Sequence, residues 1–95
     1  MSASAVSAVK FPLGRLVATP NALNQLTQDD IHAGVIRHQA GDWGDVDEDD
    51  RKENDLSLAK GCRLLSVYHA KNGVKFRIIT EADRNSTTVL LPEDY

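Results

Sequence analysis

The spacing of apolar positions changes character along the chain. Between Thr19 and Lys60 apolar residues recur at steps of three and four, the period of helices; from Arg63 onward they alternate by two, the period of strands. In "TPNAL", Thr19 is placed to cap a helix and Pro20 to fill its first position, where an N–H would be unpaired anyway. Leu23 and Leu26 follow on one face. Thr27 with Asp30 repeats the capping logic and starts a second helix, whose inner face carries Ile31, Val35 and His38, with Ile36 beside them. Gly34 costs that helix about 1 kcal/mol relative to Ala, so tertiary packing must hold it. Gly41 and Gly44 bracket Asp42 and Trp43 in a turn. A third helix is predicted from about Asp47 to Lys60, with carboxylates in its first turn, Lys60 in its last and Gly61 just beyond. Its apolar stripe is thin, Leu56 and Ala59 with Leu58 to one side, so most of it must face water.

"RLLSVYHA" and "VKFRIIT" flank Lys71-Asn72-Gly73, and Asn-Gly is a strong hairpin signal. A two-residue Asn72-Gly73 turn would pair Lys71 with Val74, His69 with Phe76, Val67 with Ile78 and Leu65 with Thr80. That register buries Leu65, Val67, Phe76 and Ile78, and leaves Ser66, Tyr68, Lys75 and Arg77 on a solvated face; a slip of one residue exchanges the faces. "TEADRNS" reads as a polar connection and "TTVLLP" as a third strand ended by Pro92, while "GRLVAT" can add a fourth strand at an edge. The expected fold is α+β: two or three N-terminal helices packed on a three- to four-stranded antiparallel sheet, formed by residues 11–95 behind a flexible tail of residues 1–10. Such a sheet leaves an edge open, which makes a homodimer through an edge strand an option.

Composition narrows the function classes. Ninety-five residues suffice for one domain, and with only Phe11, Trp43, Tyr68, Phe76 and Tyr95 as aromatics the core must be mainly aliphatic. A net charge of −3 argues against a conventional DNA-binding protein. The lone Cys62 forms neither an internal disulfide nor a metal framework, and reads as buried and inert. With no apolar run long enough to span a membrane and no signal-peptide pattern at the N-terminus, the expectation is a cytoplasmic protein.

The charge is unevenly placed. "GDWGDVDEDDRKEND" holds eight of the fourteen acidic residues, and against Arg51 and Lys52 they give −6 between Asp42 and Asp55. A calcium loop starting at Asp45 would need glycine at its sixth position and a bidentate Glu at its twelfth; it has Asp50 and Leu56, so no metal site is expected. Two readings remain: a solvated helix face, or carboxylates that imitate a phosphate row and occupy a nucleic-acid groove. Trp43 anchors either the core under the turn or an interface. From Lys60 to Arg84 the balance is +4, and a strand face joining Lys75 and Arg77 to Tyr68 can hold RNA. His32 and His38 are six apart, not on one helix face as a zinc pair would be, and a nuclease set of Tyr68, His69 and Arg77 can be drawn without any spacing that demands it. No phosphate loop and no hydrolase signature is present, so neither enzymatic activity nor a cofactor is expected.

The runs "LGRLVATPNAL", "RHQAGDWGDV", "DRKEND", "GCRLLSVY" and "RIITEADRNSTTVLLPEDY" resemble the small plasmid-related proteins of bacterial plasmids and integrative elements, sometimes labelled as parts of type I restriction systems. The resemblance covers Phe11 to Tyr95, departs at Asn21 where glycine is usual, and supplies no catalytic assignment. It implies residence on mobile DNA, where small acidic proteins blunt host defences. The combined expectation is a non-enzymatic inhibitor of a host nucleic-acid-processing complex, anti-CRISPR or anti-restriction, acting through Asp42, Trp43, Asp45, Asp47, Glu48, Asp49, Asp50 and Glu53. The alternative is an RNA-directed toxin or RNA-binding regulator using the basic strand face.

Overall fold

A computed structural model describes residues 9–94, in the order β1 (Arg15–Ala18), α1 (Pro20–Gln25), α2 (Gln28–Gln39), α3 (Glu48–Lys60), β2 (Leu64–His69), β3 (Lys75–Thr80) and β4 (Ser86–Leu90), closed by a 3-10 turn at Pro92–Asp94. The expected N-terminal tail falls mostly outside the described residues; at its end, Lys10 N–H donates to Gln39 O at 2.8 Å. The helix boundaries follow local chemistry. Thr19 accepts from Ala22 N–H with Pro20 at the first position, Thr27 and Asp30 form a reciprocal capping box, and Asp47 caps α3 by accepting from Asp50 N–H at 2.8 Å. Gly61 ends α3 in the left-handed conformation.

The sheet order is β1-β4-β3-β2. The C-terminal meander is antiparallel as expected, but β1 joins β4 in parallel, so the sheet is mixed and not antiparallel throughout. The reason lies in connectivity: the chain leaves β1, builds three helices and the hairpin, and returns beside β1 only after a long crossover, which permits parallel pairing.

The hairpin register is one residue away from the two-residue-turn expectation. Ala70 N–H donates to Val74 O and Gly73 N–H to Ala70 O, both at 2.9 Å, so the loop is the three residues Lys71-Asn72-Gly73 with Gly73 left-handed. Tertiary bonds hold this loop: Asn72 donates to Gln25 O and accepts from Val74 N–H, and Lys71 N–H donates to Asp30. Tyr68 therefore faces Phe76, Ser66 faces Ile78 and His69 faces Lys75. Phe76 and Ile78 lie under the helices as expected. On β2 the faces are exchanged: Leu64, Ser66 and Tyr68 turn inward, whereas Leu65, Val67 and His69 turn to the other side.

The helix-facing side of the sheet carries two apolar groups. One gathers Ala22, Leu26, Val35, Tyr68, Phe76, Ile78 and Val89; the other gathers Phe11, Trp43 and Leu64. Gly34 is where α2 crosses Phe76: a Cβ there would lie 3.0 Å from the ring, so close helix–sheet contact accounts for a residue that weakens the helix locally. Between the groups runs a buried polar chain. Thr87 Oγ1 donates to Leu13 O at 2.8 Å, which leaves it to accept from Thr80 at 2.7 Å. Thr80 must then accept from His38 Nε2 at 2.9 Å, and His38 Nδ1 accepts from Ser66 Oγ at 2.6 Å. A carbonyl at one end thus fixes the direction of every bond and the Nε2–H tautomer of a neutral imidazole. Burial, then the charge of Arg84, pushes the His38 pKa down to about 4.

Candidate functional site

The Gly41–Asp47 turn is built against the outer edge of β2. Val67 N–H donates to Trp43 O at 3.0 Å and Asp45 N–H to Val67 O at 2.8 Å, so the turn acts as a short extra strand. Gly44 makes this approach possible: with φ at +76°, an added Cβ would fall 2.0 Å from Val67 O. Two residues along β2, Asn54 of α3 continues the seal, donating to Leu65 O at 2.7 Å and accepting from Leu65 N–H at 3.0 Å. An amide side chain here does the work of a neighbouring strand.

The expected partner-binding residues divide in this frame. Trp43 is 1 % exposed, stacks on Phe11 at 6.3 Å and donates its indole N–H to Asp55 at 3.0 Å. It anchors the core under the turn and is not a surface contact, because the chain has few other large side chains to fill that corner. Asp42 forms a two-pronged pair with Arg37 at 2.7 and 3.2 Å. Arg37 in turn lies 4.6 Å over the Tyr68 ring, whose hydroxyl donates to Asp42 O at 2.6 Å. The Arg37 guanidinium holds the Asp42 carboxyl below its usual range, so Asp42 closes a structural ring. Asp45 contacts His69 at 2.6 Å on the surface, and Asp47 caps α3.

Glu48, Asp49, Asp50 and Glu53 are different. All four are exposed. Among the described residues, Glu48 has only a 3.9 Å contact with Arg51, and no side chain donates to the carboxylates of Asp49, Asp50 or Glu53. The helix that carries them is turned opposite to the expected stripe. Asn54 and Ser57 face inward, whereas Leu56, expected on the inner stripe, is 53 % exposed on the carboxylate side. On the inward side only Leu58 is apolar, packed against the Phe11, Trp43 and Leu64 group, so no apolar period marks this inversion; the other inward contact, Asn54, depends on a strand edge farther along the chain.

The basic strand face does not assemble as expected. Lys75, Arg77 and His69 share the outer side of the sheet, while Tyr68 is 2 % exposed on the inner side with its hydroxyl bonded. That separates the aromatic from the cations an RNA-stacking surface requires, and it disperses the Tyr68, His69, Arg77 set. Cys62 is exposed, correcting the expectation of a buried thiol, because it follows the helix cap before the strand enters the core. Among the described residues no group of three or more His, Cys, Asp or Glu side chains is placed to hold a metal ion, and no helix is long and apolar enough to cross a membrane.

No protein-family model matches the chain, and no curated protein and no solved structure matches it.

Proposed function

We propose that the protein is a non-enzymatic inhibitor from a mobile element that docks the acidic side of α3 on a host nucleic-acid-processing defence complex, of the restriction or CRISPR kind. The observation that carries this reading is the surplus of charge: Glu48, Asp49, Asp50 and Glu53 are exposed, and among the described residues their carboxylates have no contact shorter than the 3.9 Å approach of Arg51 to Glu48. Capping requires only Asp47; Glu48, Asp49 and Asp50 in the first turn also suit the helix dipole, but Glu53 lies beyond its reach and none of the four is needed to satisfy a backbone N–H. Asp49 and Glu53, four apart on the face that exposes Leu56, with Glu48 and Asp50 exposed to either side, suit a groove that normally holds phosphates, with Leu56 as apolar contact in place of the buried Trp43. The resemblance to plasmid-related proteins supports a defence target in particular.

The test is plating efficiency. In a host with active type I restriction or CRISPR interference, expression of the protein is expected to raise the establishment of a targeted plasmid. The variant Glu48→Gln, Asp49→Asn, Asp50→Asn, Glu53→Gln, which leaves the Asp47 cap in place, is expected to lose at least about tenfold of that effect, the factor that 1.4 kcal/mol of lost charge pairing produces. Full protection by the folded variant would rule the acidic face out.

A further inference from the structure

The two edges of the sheet are treated differently. The β2 edge is sealed by Trp43, Asp45 and Asn54, whereas no described residue pairs with the outer edge of β1. Arg15 N–H donates to Asn85 O and Thr19 N–H to Val89 O, so odd-numbered residues of β1 bond inward to β4. By strand alternation the N–H and C=O groups of Leu16 and Ala18 point away from the sheet, and no described residue bonds them. Exposed apolar side chains surround this edge: Leu16 at 47 %, Val17 at 38 % and Leu23 at 60 %. Beside it a groove of about 580 Å³ runs between β1 and the start of α2, lined by Ala18, Leu23, Ile31 and Val35.

We propose that this edge is the interface of a homodimer, in which β1 pairs antiparallel with β1 of a second copy about a two-fold axis through Val17. Strand parity selects the register. Leu16 and Ala18 carry the outward groups, so Leu16 of each copy exchanges both backbone bonds with Ala18 of the other, and Val17 faces Val17. Leu16 of one copy then sits beside Ala18 of its partner, on the helix side, where it fills the partner's groove. The same register places Arg15 opposite Thr19 of the partner. Thr19 Oγ1 donates to the Asp94 carboxylate at 2.6 Å, so each exposed Arg15 meets a carboxylate already fixed at the far end of the edge. One end of the edge is cationic and the other anionic, which favours the antiparallel pairing of like with like. With the β2 edge sealed, the pairing closes at two copies and does not propagate. It also holds the two α3 helices, which lie against β2, at opposite ends of one eight-stranded sheet, where their negative charges are far apart. This assembly does not depend on what α3 binds.

Sedimentation equilibrium of the full chain up to about 1 mM is expected to move from one copy of 10.4 kDa to twice that mass. Val17→Lys and Val17→Glu, each placing like charges across the axis, are each expected to remain single-chain, and their equimolar mixture is expected to recover the two-chain species. A second measurement uses the unaltered protein: exchange of the Leu16 and Ala18 amide protons is expected to slow at least about tenfold between dilute and concentrated samples. A single-chain mass throughout for the unaltered protein would overturn the proposal. So would a dimer in which those two amides exchange equally fast at all concentrations, or one that Val17→Lys leaves intact.

Discussion

At the scale of single residues, those with the largest expected effects are fixed by steric contact and burial. Gly44→Ala pushes a methyl group into Val67 O and undocks the turn from β2, whereas Gly61→Ala meets nothing within 4 Å and suffers only left-handed strain. In urea unfolding, Gly44→Ala is expected to cost at least about 3 kcal/mol and Gly61→Ala about 1 kcal/mol. His38 gives a pH signature. Its pKa is about 4 in the fold against 6.5 for an ordinary histidine, so between these values the unfolded chain binds the extra proton. Stability is therefore unaffected by His38 above pH 6.5 and falls as pH drops towards 4, by about 3 kcal/mol over the whole window. Urea titrations across that range are expected to show the slope, and His38→Asn, though less stable at pH 7, is expected to flatten it. The caps at Thr19, Thr27 and Gly61 were legible in the sequence because capping is settled within four residues. The roles of Trp43, Asp42 and Cys62 were less so, since each depends on what folds over it from elsewhere.

At the scale of elements, helices were easier to read than strand faces. In "LLSVYH" apolar residues occupy both parities, so period-two reading cannot choose between Leu65/Val67 and Leu64/Tyr68 as the buried set. The choice passes to the turn, and the loop is three residues long because Asn72 is bonded to Gln25 O across the fold. The facing strand, where Phe76 and Ile78 alternate with Lys75 and Arg77, is legible because only one parity is apolar at its start. In α3 the inward side carries Asn54 and Ser57 beside Leu58 for a reason local pattern does not carry: Asn54 completes the hydrogen bonding of β2. Asn54→Ala leaves Leu65 N–H and C=O without partners, and is expected to lower unfolding stability by about 2 kcal/mol while opening a second strand edge to association.

At the scale of the whole molecule, the sheet separates three surfaces. The β1 edge, paired by no described residue, is suited to a second copy, the helix-covered side holds the core, and the far end beyond β2 presents α3 with Asp49, Glu53 and Leu56 outward and Glu48 and Asp50 exposed beside them. The density of charge in that segment was visible in the sequence, but which charges are spent inside the fold was not. Arg37, His69, the α3 N-terminus and the Trp43 indole engage Asp42, Asp45, Asp47 and Asp55. The central claim is that the remaining four bind a partner that otherwise holds nucleic acid. The direct measurement is affinity capture from a host lysate with the unaltered protein and with the Glu48→Gln, Asp49→Asn, Asp50→Asn, Glu53→Gln variant, followed by elution with duplex DNA and mass spectrometry. The account predicts a restriction or CRISPR subunit that is retained by the unaltered protein, released by DNA and absent from the variant. Equal retention by both proteins, or a captured partner that DNA does not displace, would contradict it.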